Sequence, residues 1–404
     1  METEITGLSV EEGPLAGGNI TTITGTNFTG ATSVTFGGVP ASSFTVLSQT
    51  QITATVPAGS VKGPVNVAVT TPHGTATAIN AYTYIDDTNS DFASGDGTAG
   101  NPYVIANAEQ LDKVRNYLDS HFVLNDNLDM DVAPYNTGSG WVPIGTTSSP
   151  FTGTFDGNGK EINSLFINSG TSIGFFGTIT ANAKISDLTL QRATINASGS
   201  NVGILVGYMQ GGTIRDCYVE GRVTSNNGSF YTGGLVGRMG SEATITNSHA
   251  NVDVFGYSGV GGLVGVNDGS IQQSYSEGSV GGNFTQIGGL VGENFGTVNQ
   301  AYSLAQITSG STKTGGLIGD NKGNVTETYA AGEVMGSAQD TGGLIGVSSG
   351  SVLKSYYDTD TTTMNDTGKG LPLTTAEMKN KNSFVNWDFD SVWQIDFDEY
   401  PSLR

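Results

Sequence analysis

The chain lacks the means to form an internal disulfide bond, since Cys217 is its only cysteine. Its stability must therefore come from packing and hydrogen bonds. We expect the lone thiol to be a small core residue and not a reactive group. The sequence also has no apolar run of about 18 residues and no charged-then-apolar start, so it predicts neither a membrane span nor a signal peptide. Because Met1 leads almost directly into a strand pattern, we expect a piece trimmed from a longer precursor.

Basic residues are scarce in this sequence. Lys and Arg number 16 against 37 Asp and Glu, which leaves a formal charge of -21. Nucleic acid is not expected as a partner, because binding it requires a basic surface that releases counterions from phosphate. An acidic exterior rich in Asn, Thr and Ser suits an extracellular protein.

Motifs of zinc enzymes and serine hydrolases are missing as well. Neither His-Glu-x-x-His nor Gly-x-Ser-x-Gly occurs, and the three histidines, His73, His121 and His249, fall on different parts of the chain. We expect each histidine to be structural or solvated.

Glycine, in contrast, is abundant and regularly placed. The chain has 60 glycines but only 11 prolines, and 36% of its residues are hydrophobic. Ile, Val, Leu and Tyr recur at fixed offsets between the glycines, which a disordered low-complexity chain would not show. The glycines are therefore expected at repeated turns of a folded protein.

Residues 4–85 alternate short β-rich runs with Gly, Pro and Asn turns, a pattern typical of an all-β sandwich. The order of its motifs resembles the IPT/TIG family of immunoglobulin-like domains. The motifs are Gly17-Gly18-Asn-Ile-Thr, Gly25-Thr-Asn-Phe28, Val34-Thr-Phe-Gly37, Val56-Pro57-Ala58 and Tyr82-Thr-Tyr84. Some members of that family bind DNA, but this segment has a single Lys or Arg, Lys62, so the resemblance implies a spacer or surface module.

A polar, glycine-containing junction follows at residues 86–100 and predicts a domain boundary. Directly after it, Asn107–Leu118 places Leu111, Val114 and Leu118 at helical spacing behind an Asn cap. We expect this short amphipathic helix to cover the open end of the domain that follows.

The most informative feature is an internal repeat. Gly-Leu-Val-Gly or Gly-Leu-Ile-Gly begins at positions 234, 262, 289, 316 and 343, at spacings of 28, 27, 27 and 27 residues. Four further columns keep the same register: an apolar column from Ile214 to Val352, a column of small residues from Cys217 to Ser355, an aromatic column from Tyr218 to Tyr356, and an apolar column from Val223 to Val334. Such a unit cannot close its own core, but stacked units can, at about 4.8 Å per coil. The sequence therefore predicts a parallel β-helix.

Two predictions concern what the repeated positions do. The motif glycines would allow tight corners or close backbone approach where a side chain would clash. The aromatic column, which reads Tyr218, His249, Tyr275, Tyr302, Tyr329 and Tyr356, would form a stabilising ladder if it is covered, or a sugar-binding platform if it faces out. The ladder is the favoured interpretation. No threonine array in one register is present, so an ice-binding face is not expected.

The Gly-Gly-Leu-Val-Gly repeats resemble the GLUG motif family of bacterial surface proteins. The leader Asn101–Ile105, the segment Phe151–Ile162 and the tail from Thr375 to Leu403 resemble the flanks of those solenoids, so the resemblance covers residues 98–404. It implies an architecture and is nearly silent about a ligand, because such repeats occur in adhesins, large surface proteins and noncatalytic parts of secreted proteases.

Catalysis on a β-helix would need two carboxylates about 5 to 10 Å apart in one groove. Two columns that could carry them are not sustained acidic faces. They read Glu220, Asn251, Glu277, Leu304, Ala331 and Asp358, and Arg222, Asp253, Ser279, Gln306 and Glu333. Arg222 and Asp253 are predicted to form a surface ion pair. We therefore assign no catalytic residue and expect no enzyme.

Calcium is the one ion that the acidic stretches could recruit. They are Asn125–Asp131, Asp156-Gly-Asn-Gly, and Asp358-Thr-Asp360 with Asp366. None follows the full EF-hand pattern, and the second is more often a tight turn. No metal ligand and no cofactor is therefore assigned.

The sequence thus predicts an all-β chain in three parts. An immunoglobulin-like sandwich at 1–86 and a linker at 87–98 precede a capped parallel β-helix at 99–362 and a C-terminal cap at 363–404. In the cap, Thr375–Lys379 offers a short helix, and Phe384, Trp387, Phe389 and Trp393 would close the last coil.

The favoured function is non-catalytic adhesion at the cell surface. The partner would be a cell-surface or extracellular polysaccharide or protein, bound by variable loops such as Ser225–Tyr231. A structural subunit that assembles with copies of itself into a filament or surface layer is the first alternative. A polysaccharide-active enzyme is the second. Membrane insertion of this segment is not expected.

Overall fold

The computed structural model describes residues 2–85, 91–168, 170–226, 228–308, 312–336 and 340–404. It is 54% strand and 5% helix, which confirms the all-β prediction. The chain divides into two compact units, Met1–Asp96 and Gly97–Arg404. Part of the predicted junction, residues 86–90, lies outside the described residues, as does Asn227 of the loop Ser225–Tyr231.

The N-terminal unit is the predicted β-sandwich. Its strands are β1 (Glu4–Leu8), β2 (Glu12–Pro14), β3 (Ile20–Thr26), β4 (Ser33–Phe36), β5 (Val39–Pro40), β6 (Ser43–Ser48), β7 (Gln51–Thr55), β8 (Gly63–Thr71) and β9 (Gly74–Ile85). One sheet has the order β1-β3-β7-β6 and the other β2-β9-β8-β4-β5. Alternate residues of the strands point inward, so that Ile23, Phe36 and Val69 are fully buried between the sheets.

The sequence motifs of this unit have direct structural roles. The hydroxyl of Tyr84 donates to the carbonyl oxygen of Pro57 at 2.8 Å, and the hydroxyl of Tyr82 donates to Asn19 Oδ1 at 3.0 Å. These bonds tie the last strand to the turns that precede it in the chain. Each buried aromatic ring thereby has a partner for its polar end.

The second unit is a parallel β-solenoid of about 7 turns. Its leader contains β10 (Tyr103–Ile105), β11 (His121–Leu124), β12 (Leu128–Asp129), β13 (Thr154–Asn163), β14 (Phe166–Asn168), β15 (Phe176–Ile179) and β16 (Lys184–Ala197). The middle contains β17 (Val206–Arg215), β18 (Tyr218–Ser225), β19 (Phe230–Gly233), β20 (Val236–Thr246), β21 (His249–Gly261), β22 (Val264–Asn267), β23 (Ser270–Gln272) and β24 (Tyr275–Gly288).

The last coils are built from shorter strands. They are β25 (Val291–Asn294), β26 (Thr297–Asn299), β27 (Tyr302–Ser303), β28 (Gln306–Ile307), β29 (Thr312–Gly315), β30 (Ile318–Asn321), β31 (Asn324–Thr326), β32 (Tyr329–Ala330), β33 (Thr341–Gly342), β34 (Ile345–Ser348), β35 (Ser351–Leu353), β36 (Tyr356–Asp358) and β37 (Leu371–Leu373).

Successive coils pair in the register that the sequence columns predict. Ile271 pairs with Val298, and Val298 with Val325, each one coil further on. These side chains are at most 1% exposed, as is Val280 of the second apolar column. The columns are therefore the interior of the solenoid, where apolar residues of each coil pack against those of the neighbouring coils.

The motif glycines make room for the backbone of the next coil. A Cβ atom at Gly234 would lie 2.1 Å from the carbonyl oxygen of Gly262, and one at Gly289 would lie 2.0 Å from that of Gly316. Neither glycine has a positive φ, so close backbone approach, and not a tight corner, explains this motif.

Two corners of each coil instead carry left-handed residues that are mostly not glycine. One corner has φ values of 47° to 53° at Asp187, Asp216, Asn247, Gln273, Gln300, Glu327 and Lys354. The other has positive φ at Ser172, Asn201, Tyr231, Gly259, Gln286, Lys313 and Asp340. The prediction of glycine at the repeated turns is therefore wrong for these corners.

The predicted N-terminal helix is present but shorter than expected. Helix α1 (Ala108–Lys113) begins at Asn107, whose side chain accepts from the backbone N–H of Gln110, and a 3₁₀ turn follows it over Val114–Asn116. Because the 3₁₀ turn ends at Asn116, Leu118 lies beyond the helical segment. Leu111 and Val114 are fully buried at the N-terminal end of the solenoid.

The C-terminal segment contains α2 (Thr359–Thr362), α3 (Thr375–Met378), a 3₁₀ turn (Lys381–Ser383), β38 (Trp393–Gln394) and β39 (Ser402–Leu403). Helix α3 confirms the predicted short helix and has a capping box between Thr374 and Glu377. Hydrogen bonds with the backbone N–H and the hydroxyl of Thr374 lower the pKa of the Glu377 carboxyl. Asp358 ties the segment to the last coil, because its Oδ2 accepts from the hydroxyls of Tyr400 and Thr375 at 2.6 and 2.7 Å.

Candidate binding surface of the solenoid

The aromatic column forms a continuous stack from Tyr218 to Tyr329 on the outer side of the solenoid. Ring centroids lie 4.5 Å apart between Tyr218 and His249 and between His249 and Tyr275. They lie 4.6 Å apart between Tyr275 and Tyr302, and 4.9 Å between Tyr302 and Tyr329. From His249 onward the planes of successive rings are within 9° of parallel. Each inner ring therefore has both faces occupied by its neighbours.

This geometry supports the structural interpretation of the column. A sugar would stack on the face of an aromatic ring, but the inner rings expose only their edges. The last rings are covered entirely: Tyr302, Tyr329 and Tyr356 are buried against Trp387 and Trp393 of the C-terminal cap. Burial raises the pKa of Tyr329 well above its ordinary value.

The same contacts correct the role predicted for the cap. The sequence predicts that Phe384, Trp387, Phe389 and Trp393 close the last coil. In the structure these side chains pack against the outward-facing tyrosines, and the hydroxyl of Tyr329 donates to Pro401 at 2.6 Å. The cap covers one side of the solenoid because the exposed tyrosine edges offer it an apolar surface and a hydrogen bond.

An exposed group of rings lies at a neighbouring corner. We call Phe230, Tyr257 and Phe284, which lie on three successive coils, the aromatic corner. The rings of Tyr257 and Phe284 stack with centroids 5.1 Å apart and planes 4° from parallel, and Phe230 meets Tyr257 edge to face at 6.1 Å. Phe230 is 43% and Phe284 is 54% exposed. Phe230 belongs to the loop predicted to make contacts.

A polar groove of about 330 Å³ begins two residues before Tyr257 on β21. It is lined by Arg222, Thr224, Asp253, Val254, Phe255, Ser279 and Thr308. Phe255 is exposed and lines the groove. The groove thus combines one aromatic wall with hydrogen-bond donors and acceptors from four successive coils.

The predicted ion pair between Arg222 and Asp253 is not formed. The two residues are register partners on adjacent coils, but the hydroxyl of Ser279, on the following coil, donates to Asp253 Oδ1 at 2.7 Å. Among the side chains that the structure describes, Arg222 has no salt bridge. Arg222 lines the groove, and its guanidinium supplies hydrogen-bond donors there.

Acidic residues of the two columns considered for catalysis form hydrogen bonds within the protein. Glu220 accepts from the hydroxyl of Tyr218 at 3.1 Å, and Glu333 accepts from Gln306 at 2.8 Å. Desolvation and the charge of Glu220 raise the pKa of Tyr218 to about 12. Asp358 is fully buried and caps α2.

Sequence reasoning missed one pair of carboxylates. Glu293 and Asp320 are register partners on adjacent coils, 7% and 2% exposed. Lys322 pairs with both, and Lys313 lies 2.7 Å from Asp320. Burial opposes the charge of Lys322, yet its hydrogen bond with Glu293 and the two carboxylates raise its pKa overall. The signal was the column after each motif, which reads Arg238, Val266, Glu293, Asp320 and Val347. The contacts of its two acids mark an ion-pair network of buried carboxylates and partly exposed lysines.

The remaining candidate residues have ordinary surroundings. Cys217 is buried, and desolvation raises the pKa of its thiol to about 12, as expected for a core residue. His121 contacts the hydroxyl of Thr154 at 2.8 Å, and His249 is stacked in the aromatic column, where burial lowers its pKa. His73 lies in the sandwich, so the histidines are not brought together.

Carboxylates of the acidic stretches that were candidates for calcium accept hydrogen bonds from the backbone. Asp156 accepts from the backbone N–H of Asn158 at 2.7 Å, within a turn. Asp366 accepts from Gly343 at 2.8 Å. In the described part of the chain, His, Cys, Asp and Glu side chains do not gather in threes at metal-binding distance. Helices in that part are also all too short or too polar to span a bilayer.

Comparison with known proteins places the N-terminal unit in a family. Residues 4–84 match the model of the IPT/TIG domain. A provisionally named Gly-rich membrane protein of Evansella cellulosilytica is 37% identical over 183 residues, which are 44% of this chain and 21% of that protein. Halomucin of Haloquadratum walsbyi is 33% identical over 223 residues, 52% of this chain and 2% of halomucin. The chain therefore spans only about a fifth of the first relative and 2% of the second.

One solved structure has the same fold over most of its length. A Bacteroides ovatus protein, crystallised under the provisional name of an immunoglobulin A1 protease, superposes with a TM-score of 0.55. The match covers 78% of this chain and 95% of that one at 20% identity. At that identity the likeness shows the fold alone.

Proposed function

We propose that the chain is a non-catalytic, extracellular module of a cell-surface protein that binds carbohydrate through the aromatic corner and the polar groove. The observation that carries the proposal is the exposure of Phe255, which lines the groove, and of Phe230 and Phe284 at the aromatic corner. Clustered exposed aromatic side chains mark binding sites, because apolar surface left in water is unfavourable. A partner that covers these side chains gains the free energy of burying their apolar surface.

The mixture of groups around the groove suits a sugar. A pyranose ring presents an apolar face, which aromatic side chains can cover, and a rim of hydroxyls. Arg222 supplies N–H donors, and Asp253 supplies carboxylate oxygens that accept from hydroxyls. Specific polar groups beside aromatic walls are the usual composition of a small-molecule site.

The charge of the chain narrows the ligand to neutral glycans. A formal charge of -21 repels polyanions such as acidic polysaccharides at long range. The groove is open and spans four successive coils, which fits a polymer lying across them better than an enclosed monomer. An adhesive role at a cell surface would use this kind of contact.

The proposed absence of catalysis rests on the groove's own residues. Asp253 is the carboxylate that lines it, and Ser279 holds that carboxylate as a hydrogen-bond acceptor. Hydrolysis of a glycosidic bond requires a second carboxyl group as its acid or base partner. The buried pair Glu293 and Asp320 is neutralised by lysines and does not line this groove.

A glycan array with the full chain tests the proposal. We expect binding to one or more neutral polysaccharides and loss of that binding in Phe284→Ala and in Arg222→Ala. Phe397→Ala is the matched control, since Phe397 is a fully exposed phenylalanine in the cap. Binding that survives in both site variants, or its absence for every glycan, would refute the proposed site.

A further inference from the structure

The C-terminal end of the solenoid is covered on one side and open on another. Strand β36 pairs with β37 beyond it, and Lys369 and Asp366 contact the backbone of the last coil at Gly346 and Gly343. Strand β35 (Ser351–Leu353) pairs with β31 only; the described residues contain no strand on its other side.

The interior is also exposed at this edge. Each earlier member of the apolar column from Ile214 to Val325 is at most 1% exposed, but Val352, the last member, is partly exposed. Leu353 is 58% exposed. A cleft of about 220 Å³ lies beside the strand and is lined by Val352, Leu353 and Leu371, among others.

The backbone of β35 has a defined direction. The N–H of Ser351 donates to Gly323 at 2.9 Å, and the carbonyl of Leu353 accepts from Glu327 at 3.2 Å, so both residues face the preceding coil. Successive residues of a strand point their N–H and C=O groups to opposite sides. The N–H and C=O of Val352 therefore face the open side, as those of Val325 face β35.

We infer that the β35 edge is a docking site for an extended polypeptide strand, which adds to the solenoid as one further parallel strand. The open backbone groups of β35 determine this class of partner, because only a peptide backbone supplies N–H and C=O groups at strand spacing. Exposed edge strands without proline, bulge or cover pair readily with another chain.

The side chains of the incoming strand follow from the preceding coils. At this position the chain reads Thr213-Ile-Arg, Thr244-Ile-Thr, Ser270-Ile-Gln, Thr297-Val-Asn and Asn324-Val-Thr. A strand with a β-branched apolar residue between polar ones would cover Val352 and leave its other side chains in water. This inference is independent of carbohydrate binding at the aromatic corner.

The probe is a fluorescein-labelled peptide with the sequence of residues 294–303, which contains one such strand, and the readout is fluorescence anisotropy with the full chain. We expect saturable binding, weakened about tenfold or more by Val352→Asp, which places a charge under the incoming side chain. Val352→Pro should act similarly, since it removes only the open-side N–H and proline is tolerated on edge strands.

The controls separate this site from the carbohydrate site. A peptide with Val298→Asp should not bind, and Phe284→Ala should bind the parent peptide like wild type. If wild-type protein self-associates and Val352→Asp does not, a second copy supplies the strand. The inference is overturned if the parent peptide fails to bind, or if Val352→Asp and Val352→Pro, shown by circular dichroism to be folded, bind it unchanged.

Discussion

The ring of Tyr302 stacks on that of Tyr275 with centroids 4.6 Å apart and planes 3° from parallel, yet only Tyr302 lies under the C-terminal cap. Tyr302 is 5% exposed, whereas Tyr275 is only partly buried. The boundary of the cap therefore falls between two equivalent coils. The C-terminal end of the aromatic column is therefore stabilised by the cap as well as by stacking, and the N-terminal end by stacking between its rings.

Removing the central cap residue should loosen the covered end of this ladder. Trp393 is fully buried, and its ring lies 6.2 Å from that of Tyr302 and 4.3 Å from that of Trp387. We expect Trp393→Ala to cost about 3–5 kcal/mol of unfolding free energy, as for other buried Trp truncations. Urea unfolding measures the change, and an effect no larger than that of Phe397→Ala would contradict the packing described.

His249 should make the stability of the solenoid depend on pH. Burial lowers its folded-state pKa below the ordinary value of 6.5. The unfolded chain therefore takes up a proton first as the pH falls, so the contribution of His249 is fully present above about pH 6.5 and is lost below it.

Replacing His249 by the tyrosine of the other coils isolates this effect. His249→Tyr should keep the stack and flatten the dependence of melting temperature on pH between about pH 5.5 and 7.5. Thermal melts of the two proteins in parallel buffers check it. Equal slopes would show that His249 does not titrate differently in the folded state.

The motif glycines should tolerate no added methyl group. A Cβ at Gly289 would lie 2.0 Å from the carbonyl oxygen of Gly316, which belongs to the next coil and cannot rotate away. We expect Gly289→Ala to destabilise the solenoid by about 1–3 kcal/mol. Gly100→Ala is the matched control, because nothing lies within 4 Å of its Cβ, and unfolding curves that coincide for the two variants would count against close backbone approach.

A buried asparagine ladder should be equally sensitive. The side chain of Asn267 donates to Asn294 at 2.8 Å, and that of Asn294 donates to Asn321 at 2.7 Å. Asn294→Ala removes a hydrogen bond from the buried asparagine on each side, at a cost of about 1–3 kcal/mol. Chemical denaturation against Asn324→Ala, an exposed position on β31, gives the comparison. Equal unfolding free energies for the two variants would show that the asparagine ladder does not stabilise the fold.

The regular part of the fold was predictable because it follows from a repeat that is visible in the sequence. A residue and its counterpart about 27 positions later occupy the same place in successive coils, as Ile271 and Val298 do. Alternation then decides which columns point inward. The same argument identified the aromatic column and the motif glycines, whose close approach to the next coil repeats from Gly234 to Gly316.

The irregular parts were not predictable from such columns. The cap aromatics around Trp393 could close an end or cover a side, and only the three-dimensional path of the chain decides between them. The hydroxyl of Ser279 competes successfully for Asp253, so a predicted ion pair with Arg222 is absent. Glu293 and Asp320 follow the motif and were passed over because neighbouring coils have valine there. Gln273 and its equivalents adopt positive φ that their identity does not signal.

Calorimetric titration of the full chain with a neutral polysaccharide taken from the array tests the carbohydrate site most directly. Wild type and Phe397→Ala should bind with the same affinity, and the double variant Arg222→Ala and Phe255→Ala should lose at least about tenfold, because it removes the donor and the aromatic wall of the polar groove together. Equal affinity of a folded double variant would show that the ligand binds elsewhere and would contradict the proposed function of this surface.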